Sequence, residues 1–126
     1  MSGDAKGYWY LACPYSSPHY MVRRARFDAA NQVAANLIAE GRMVYSPISM
    51  GHPIAEAGAG HTWEDWKALD LAILESPRCE GVIVLTIVGW DRSAGVEAEI
   101  AAAKALGKPV LYLDPLEWRV REEEAA

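Results

Sequence analysis

The stretch Ser93-Ala-Gly-Val-Glu-Ala-Glu99-Ile-Ala-Ala-Ala-Lys-Ala-Leu-Gly-Lys-Pro109 decides the fold, because it indicates an alanine-rich helix that begins where a buried strand ends. The run before it, from Cys79 to Val88, is almost entirely apolar after Glu80, which is typical of a strand covered on both faces. Another apolar run, Val110 to Leu113, follows the helix. A strand, a helix and a strand in this order predict parallel strands joined by a right-handed crossover.

The same alternation extends toward the N-terminus. A run of 15 residues from Pro47 to His61 is rich in glycine and proline, which predicts a mobile lid or binding loop. Thr62 and Asp65 form a variant of the capping box at the start of a helix. The charged tail after Leu116, with Trp118 and Val120 alternating with polar residues, favours an edge strand or a contact with a neighbour. The other predicted elements are strands at 8–13 and 42–46 and helices at 21–40 and 62–76.

This order of elements predicts an α/β fold. We expect a three-layer α/β/α sandwich with a mostly parallel sheet of four to five strands, flavodoxin- or Rossmann-like, in one domain spanning residues 1–126. In such sheets ligands bind at the carboxyl ends of the strands, and the first N–H groups of a helix attract anions. The segment from Ser93 to Glu99 therefore indicates the functional site.

Composition excludes several classes of function. The net charge is −5, from 12 basic and 17 acidic residues, so a nucleic-acid polymer is not an expected partner. The short cluster Arg23, Arg24 and Arg26 is interpreted as a solvated face, with a phosphate or subunit contact as the alternative. No run is apolar enough for a bilayer and no signal peptide is visible, so we expect a cytoplasmic protein with no membrane contact. Cys13 and Cys79 are expected to be buried free thiols.

Three residues are candidates for chemistry. Glu99 lies at the border of the apolar stripe of its helix, so it either takes part in a reaction or complements the helix dipole. Asp70 accompanies apolar residues on its helix, where a carboxylate needs a partner or a function. The hydroxyl of Tyr10 would suit Glu99 if the first and third strands are neighbours. Glu97 is expected to be solvated. The histidines show no metal-ligand spacing with the cysteines, so no metal or cofactor is expected.

Several motifs occur together in one order. They are Tyr10-Leu-Ala-Cys-Pro14, Gly41-Arg-Met-Val-Tyr-Ser-Pro47, Asp70 before Cys79, Ser93-x-Gly95-Val-x-x-Glu99-Ile and Ala105-Leu-Gly-Lys-Pro109. In this respect the chain resembles the nucleoside 2-deoxyribosyltransferase superfamily, which includes the deoxynucleoside 5-monophosphate N-hydrolases. The likeness extends from Tyr8 to about Leu113.

The resemblance implies a retaining cleavage or transfer at the N-glycosidic bond of a nucleoside or nucleoside 5-monophosphate. It assigns Glu99 as the nucleophile, Tyr10 as the residue that orients it, and Asp70 as a contact or proton donor to the base. It also implies a homodimer or homotetramer, with the helix of Asp70 or the tail near Trp118 in the contact. Ser93 and Gly95 fall on the phosphate-binding motif. The remaining candidate substrate-binding residues are Arg92, Tyr15, Ser46, His52 and Asp91, the last of which is alternatively a turn former before the helix.

Two other functions stay open at this stage. One is a non-catalytic nucleotide- or nucleotide-sugar-binding module, favoured by Cys13 and Ala101 at positions where the superfamily often has glycine. The other is a structural subunit, which predicts that Glu99 lies on a flat surface. His52 and His61, which flank the expected loop, are either ordinary loop residues or ligand contacts.

Overall fold

A five-stranded sheet with helices on both faces forms the domain. The computed structural model describes residues 7–116 and 119–122. Its strands are β1 (Tyr8–Ala12), β2 (Val44–Tyr45), β3 (Cys79–Leu85), β4 (Val110–Asp114) and β5 (Arg119–Glu122). Its helices are α1 (Tyr20–Ala39), α2 (Pro47–Ala57), α3 (Trp63–Glu75) and α4 (Ala94–Ala105), and a short 3-10 turn spans Trp90–Arg92.

The sheet has the strand order β2-β1-β3-β4-β5. The first four strands run parallel, and β5 pairs antiparallel with β4. The predicted mostly parallel α/β sandwich is therefore confirmed, and so is the edge strand predicted in the tail, although Trp118 lies outside the described residues. Within the described ranges no helix is long and apolar enough to cross a membrane.

Two apolar layers hold the helices on the sheet, because alternate residues of β1 and β3 point to opposite faces. Tyr10 and Val84 belong to the layer that α3 and α4 cover. Leu11 and Ile83 belong to the opposite layer, which α1 covers. These four side chains are at most 1% exposed, as expected for central strands of a parallel sheet.

The prediction of a loop from Pro47 to His61 is wrong, because most of this segment forms α2. Proline is favourable in the first turn of a helix, where Pro47 lies. The buried residues Gly51, His52 and Ala55 recur at helical spacing, so burial of one face outweighs the glycine and the internal Pro53. Gly58, with φ 127°, ends the helix and leaves only a short connection to α3.

Other element boundaries differ slightly from the prediction. β2 contains only Val44–Tyr45, and β3 ends at Leu85 rather than Val88. The capping box of Thr62 and Asp65 is confirmed. Both cysteines are buried free thiols, as expected.

The direction of the crossovers changes between β1 and β3. The chain passes from β1 to β2 on one side, and it later enters β3 on the other side of β1. Such a reversal opens a crevice at the carboxyl ends of the two central strands, where α/β proteins of this strand order bind ligands.

Candidate functional site

A cleft lies at this crevice. Residues from the end of β1, the segment after it, α2, α3 and the start of α4 form its walls. They are Leu11, Cys13, Tyr15, Ser16, Pro47, Ile48, Gly51, His52, Trp63, Trp66, Asp70, Ser93, Gly95 and Glu99. The cleft therefore joins four separate parts of the chain, and Glu99 lies in a concave site rather than on the flat surface that a structural subunit predicts.

Glu99 is held in the cleft by α4 and by the strand beside it. Only 5% of the residue is exposed, and the Tyr10 hydroxyl donates a hydrogen bond to its Oε2. This contact confirms the expectation that pairs Tyr10 with Glu99 when β1 and β3 are neighbours. Burial raises the pKa of Glu99 to about 8; the hydrogen bond from Tyr10 opposes the change and the nearby Asp70 carboxylate adds to it.

Asp70 brings a second carboxylate to the same cleft. It lies on α3, is 5% exposed, and its Oδ1 has no hydrogen-bond partner in the described part of the chain. Burial raises the pKa of Asp70 to about 6, and the hydrogen bond from Tyr10 opposes this change. An unpartnered buried carboxylate oxygen costs free energy, which is typical of a group held for a ligand.

The two carboxylates act on each other through their charges, since the charge of Asp70 raises the pKa of Glu99. At a pH between the pKa of Asp70, about 6, and the pKa of Glu99, about 8, the pair retains about one proton. Such a pair offers one anion and one acid in a site sheltered from water. This combination is able to stabilise a positive charge on a ligand and to give a proton to its leaving group.

Tyr15, in the segment after β1, and His52, on α2, lie next to each other in the wall of the cleft. The Tyr15 hydroxyl lies 2.6 Å from Nδ1 of His52, which is 1% exposed. His52 is therefore a buried helical residue rather than the loop residue that we expected, although it lines the cleft as a ligand contact would. His61 is exposed and does not line the cleft.

The start of α4 forms the mouth of the cleft. Ser93 caps the helix by accepting the N–H of Val96 at 3.2 Å. A groove lined by Ser93, Gly95 and Arg92 continues from the cleft, and Arg26 of α1 also lies on it. Carbonyl groups fix the Arg26 guanidinium, since it donates to Ser16 at 2.9 Å and to Val88 at 3.2 Å.

Three predicted substrate-binding residues, Asp91, Arg92 and Ser46, do not line the cleft, although Arg92 lines the groove at its mouth. Asp91 is exposed, because the turn over Trp90–Arg92 directs it to solvent. Ser46 directly precedes α2; its hydroxyl lies 2.7 Å from the Ser49 hydroxyl and makes no capping hydrogen bond to the helix. The structure therefore does not bring Asp91 and Ser46 to the cleft, and their role in substrate binding stays a prediction. Glu97 is exposed, as expected.

Sequence reasoning missed two tryptophans of the cleft. Trp63 and Trp66 line it, and the Trp66 indole N–H donates to the Gly60 carbonyl at 2.8 Å. The signal was present in their spacing, because Trp63, Trp66 and Asp70 lie three and four residues apart on one helix face. Among the described residues no three His, Cys, Asp or Glu side chains converge as metal ligands.

The fold and the site define an α/β protein with a cleft that contains two buried carboxylates at the reversal point of its sheet. Residues 7–114 match the family described as a domain of unknown function (DUF1937), and the chain belongs to that family. The matched range contains every cleft residue named above. A comparison with curated proteins gives no match.

Proposed function

We propose that this protein cleaves or transfers the N-glycosidic bond of a nucleoside or nucleoside 5-monophosphate through a covalent glycosyl-Glu99 intermediate. The observation that carries the proposal is the buried Glu99, oriented by Tyr10 and placed in one cleft with Asp70. The transition state of glycosyl transfer resembles an oxocarbenium ion, so an adjacent carboxylate stabilises it and then bonds to it.

The first half of the reaction needs one anion and one acid. The Glu99 oxygen that Tyr10 does not hold attacks the anomeric carbon while the bond to the base breaks. Asp70 gives its proton to the departing base, which is a poor leaving group without one. In the second half, water or a second base attacks the glycosyl ester; Asp70 accepts the proton of that nucleophile, and Glu99 leaves as a carboxylate.

The groove at the mouth supports a phosphorylated substrate. Free N–H groups at the start of α4 and the guanidinium groups of Arg26 and Arg92 lie along it. The Ser93 oxygen accepts from the helix, so its own O–H remains available as a donor to a phosphate. We therefore favour a nucleoside 5-monophosphate over a nucleoside as the substrate.

A non-catalytic nucleotide- or nucleotide-sugar-binding module is the second candidate. The raised pKa of Glu99, about 8, favours it, because a glutamic acid that retains its proton at neutral pH is a hydrogen-bonding group and not a nucleophile. In the enzyme, the proton must move to Asp70 when the substrate binds.

Base release from a panel of ribo- and deoxyribonucleoside monophosphates tests the proposal. We expect the wild-type protein to release the base, and the Glu99→Ala and Glu99→Gln variants to lose at least about 10³-fold in kcat, the scale seen when a catalytic group is removed. Glu97→Gln, a change at an exposed position of the same helix, is the matched control. Full activity in both Glu99 variants would reject the mechanism. A nucleotide that raises the unfolding temperature of the wild type but is never converted would support the binding module.

The proposal includes a homodimer or homotetramer in the cytoplasm that works without a cofactor. The resemblance to the transferases supports the oligomer, and exposed apolar residues near the cleft agree with a contact there. Met50 and Ile54 of α2 and Leu69 of α3 are 38%, 41% and 45% exposed. Sedimentation equilibrium tests this part, and a monomer at micromolar concentration would reject it.

A further inference from the structure

A chain of polar side chains lies beside the carboxylate pair and is not used by the proposed mechanism. Tyr15 faces the cleft, and its hydroxyl lies 2.6 Å from Nδ1 of His52. On the other side of the imidazole ring, Nε2 lies 3.3 Å from Oε1 of Glu56. The other oxygen of Glu56 accepts a hydrogen bond from the Tyr20 hydroxyl at 2.9 Å.

The surroundings hold His52 in one orientation. The ring is 1% exposed, and it stacks on Phe27 with 4.4 Å between the ring centres. Among the described residues Nε2 makes no hydrogen bond of ordinary geometry, so the neighbouring Glu56 carboxylate decides which nitrogen is protonated. A carboxylate only accepts, and a nitrogen lone pair that faced it would be repelled. When the ring carries a single proton, that proton therefore lies on Nε2.

The tautomer of His52 fixes the direction of the next hydrogen bond. With the proton on Nε2, Nδ1 is a lone pair and accepts the hydroxyl proton of Tyr15. Burial raises the pKa of Tyr15, with the Arg23 charge opposing, so the phenol keeps the proton that it donates. The Tyr15 oxygen also interacts with the Arg23 guanidinium, and toward the cleft it is an acceptor with no free proton.

We propose that Tyr15 is a specificity-determining residue that accepts a hydrogen bond from an N–H or O–H donor of the ligand, and that His52 is the positioning residue that imposes this direction. The inference rests on the proposed function for its choice of ligand class. In a nucleotide the donor is either an amino group of the base or a hydroxyl of the sugar. A ligand without a donor at that point leaves a lone pair of the half-buried Tyr15 oxygen without a partner, so it binds more weakly than a ligand with the donor.

Matched nucleotide pairs that differ by one donor test the proposal. Adenosine and purine riboside 5-monophosphates differ by one amino group, as do guanosine and inosine 5-monophosphates; ribo- and 2- or 3-deoxyribonucleotides differ by one hydroxyl. Dissociation constants are measured by calorimetry with the Glu99→Gln protein, so that turnover does not interfere. We expect at least one pair to differ by about tenfold or more in favour of the donor, and the amino and hydroxyl pairs show which source supplies it.

The variants separate the roles of the two residues. In the Tyr15→Phe protein, the dissociation constants of the two nucleotides in the discriminating pair should agree within about twofold. The His52→Phe protein keeps Tyr15, but its preference for the nucleotide with the donor should be weaker. Tyr8→Phe is the matched control, because the Tyr8 hydroxyl bonds the Ile73 carbonyl away from the cleft. We expect the control to keep the full preference.

The outcomes distinguish the role proposed for Tyr15 from the proposed catalytic function. If the preference for the donor appears while the wild type releases no base, Tyr15 keeps its role and the catalytic proposal fails. If base is released but no pair depends on Tyr15, the role of Tyr15 is rejected. If no nucleotide binds, both claims fail. Nitrogen-15 NMR of His52 gives a ligand-free measurement: the proton should lie on Nε2 of a neutral ring, and a proton on Nδ1 would overturn the proposal.

Discussion

At the scale of single residues, one hydroxyl group organises the cleft. Tyr10 donates to Glu99, and its hydrogen bonding also opposes the rise in the pKa of Asp70. The energetic cost of burying both carboxylates exceeds what this hydroxyl offsets, since both pKa values are raised. The sequence placed Glu99 at the edge of a buried stripe but left its role open between helix dipole and reacting group. Only the packing of β1 beside β3 shows that a partner reaches it.

The same pair predicts how activity depends on pH. The proposed reaction needs one proton on the two carboxylates, so kcat/KM should be highest between the two pKa values. Activity should fall below about pH 6, where both groups are protonated, and above about pH 8, where neither is. The initial rate of base release measured from pH 4.5 to 9.5 checks this. A profile that still rises above pH 9 would contradict the shared proton.

At the scale of elements, α2 shows why the sequence was misinterpreted. Glycine and proline are usual breakers of helices, and this segment contains two of each between Pro47 and Gly58. The helix forms because Ile48, Gly51 and Ala55 lie on one side of it, and two of these are buried. Propensity is a local quantity, whereas the burial of that side depends on packing against α1, β1 and the Trp66 ring of α3, which lie outside the segment. No pattern within the segment specifies those partners.

Two glycines beside Trp66 make a matched pair for testing this packing. A Cβ on Gly60, whose φ is 80°, would lie 2.7 Å from the indole ring, so Gly60→Ala should destabilise the protein by about 1–3 kcal/mol. A Cβ on Gly51 would lie 3.5 Å from the same ring, an ordinary contact. Gly51→Ala should therefore be neutral or stabilising by up to about 1 kcal/mol, because alanine is the better helix former. Urea unfolding of both variants is the measurement, and equal effects would contradict the packing described.

At the scale of the whole molecule, the parallel sheet and its helical layers could be predicted from the sequence, whereas the strand order and the walls of the cleft could not. Alternating apolar strands and amphipathic helices constrain the topology, because crossovers are right-handed and parallel strands must be covered. The parallel sheet and its covering helices follow from those rules. The rules allow more than one strand order, so the position of β1 beside β3 was only a condition of the prediction for Tyr10, and the structure supplies it. The meeting of His52 on α2 with Tyr15 after β1 depends on how two helices pack, which no spacing in the chain records.

The buried carboxylates should also make the stability of the whole domain depend on pH. Glu99 binds its proton more tightly when folded, so its contribution is complete below its unfolded pKa near 4.5 and is lost as pH rises toward about 8. The contribution of Asp70 to the unfolding free energy is also lost as the pH rises, up to about pH 6. The wild type should thus lose unfolding free energy between pH 5 and pH 8, and Glu99→Gln should lose less by an amount on the order of 2–4 kcal/mol. Urea unfolding at both pH values measures this, with Glu97→Gln as the exposed control. A Glu99→Gln protein with the same pH dependence as the wild type would show that folding does not raise the pKa of Glu99.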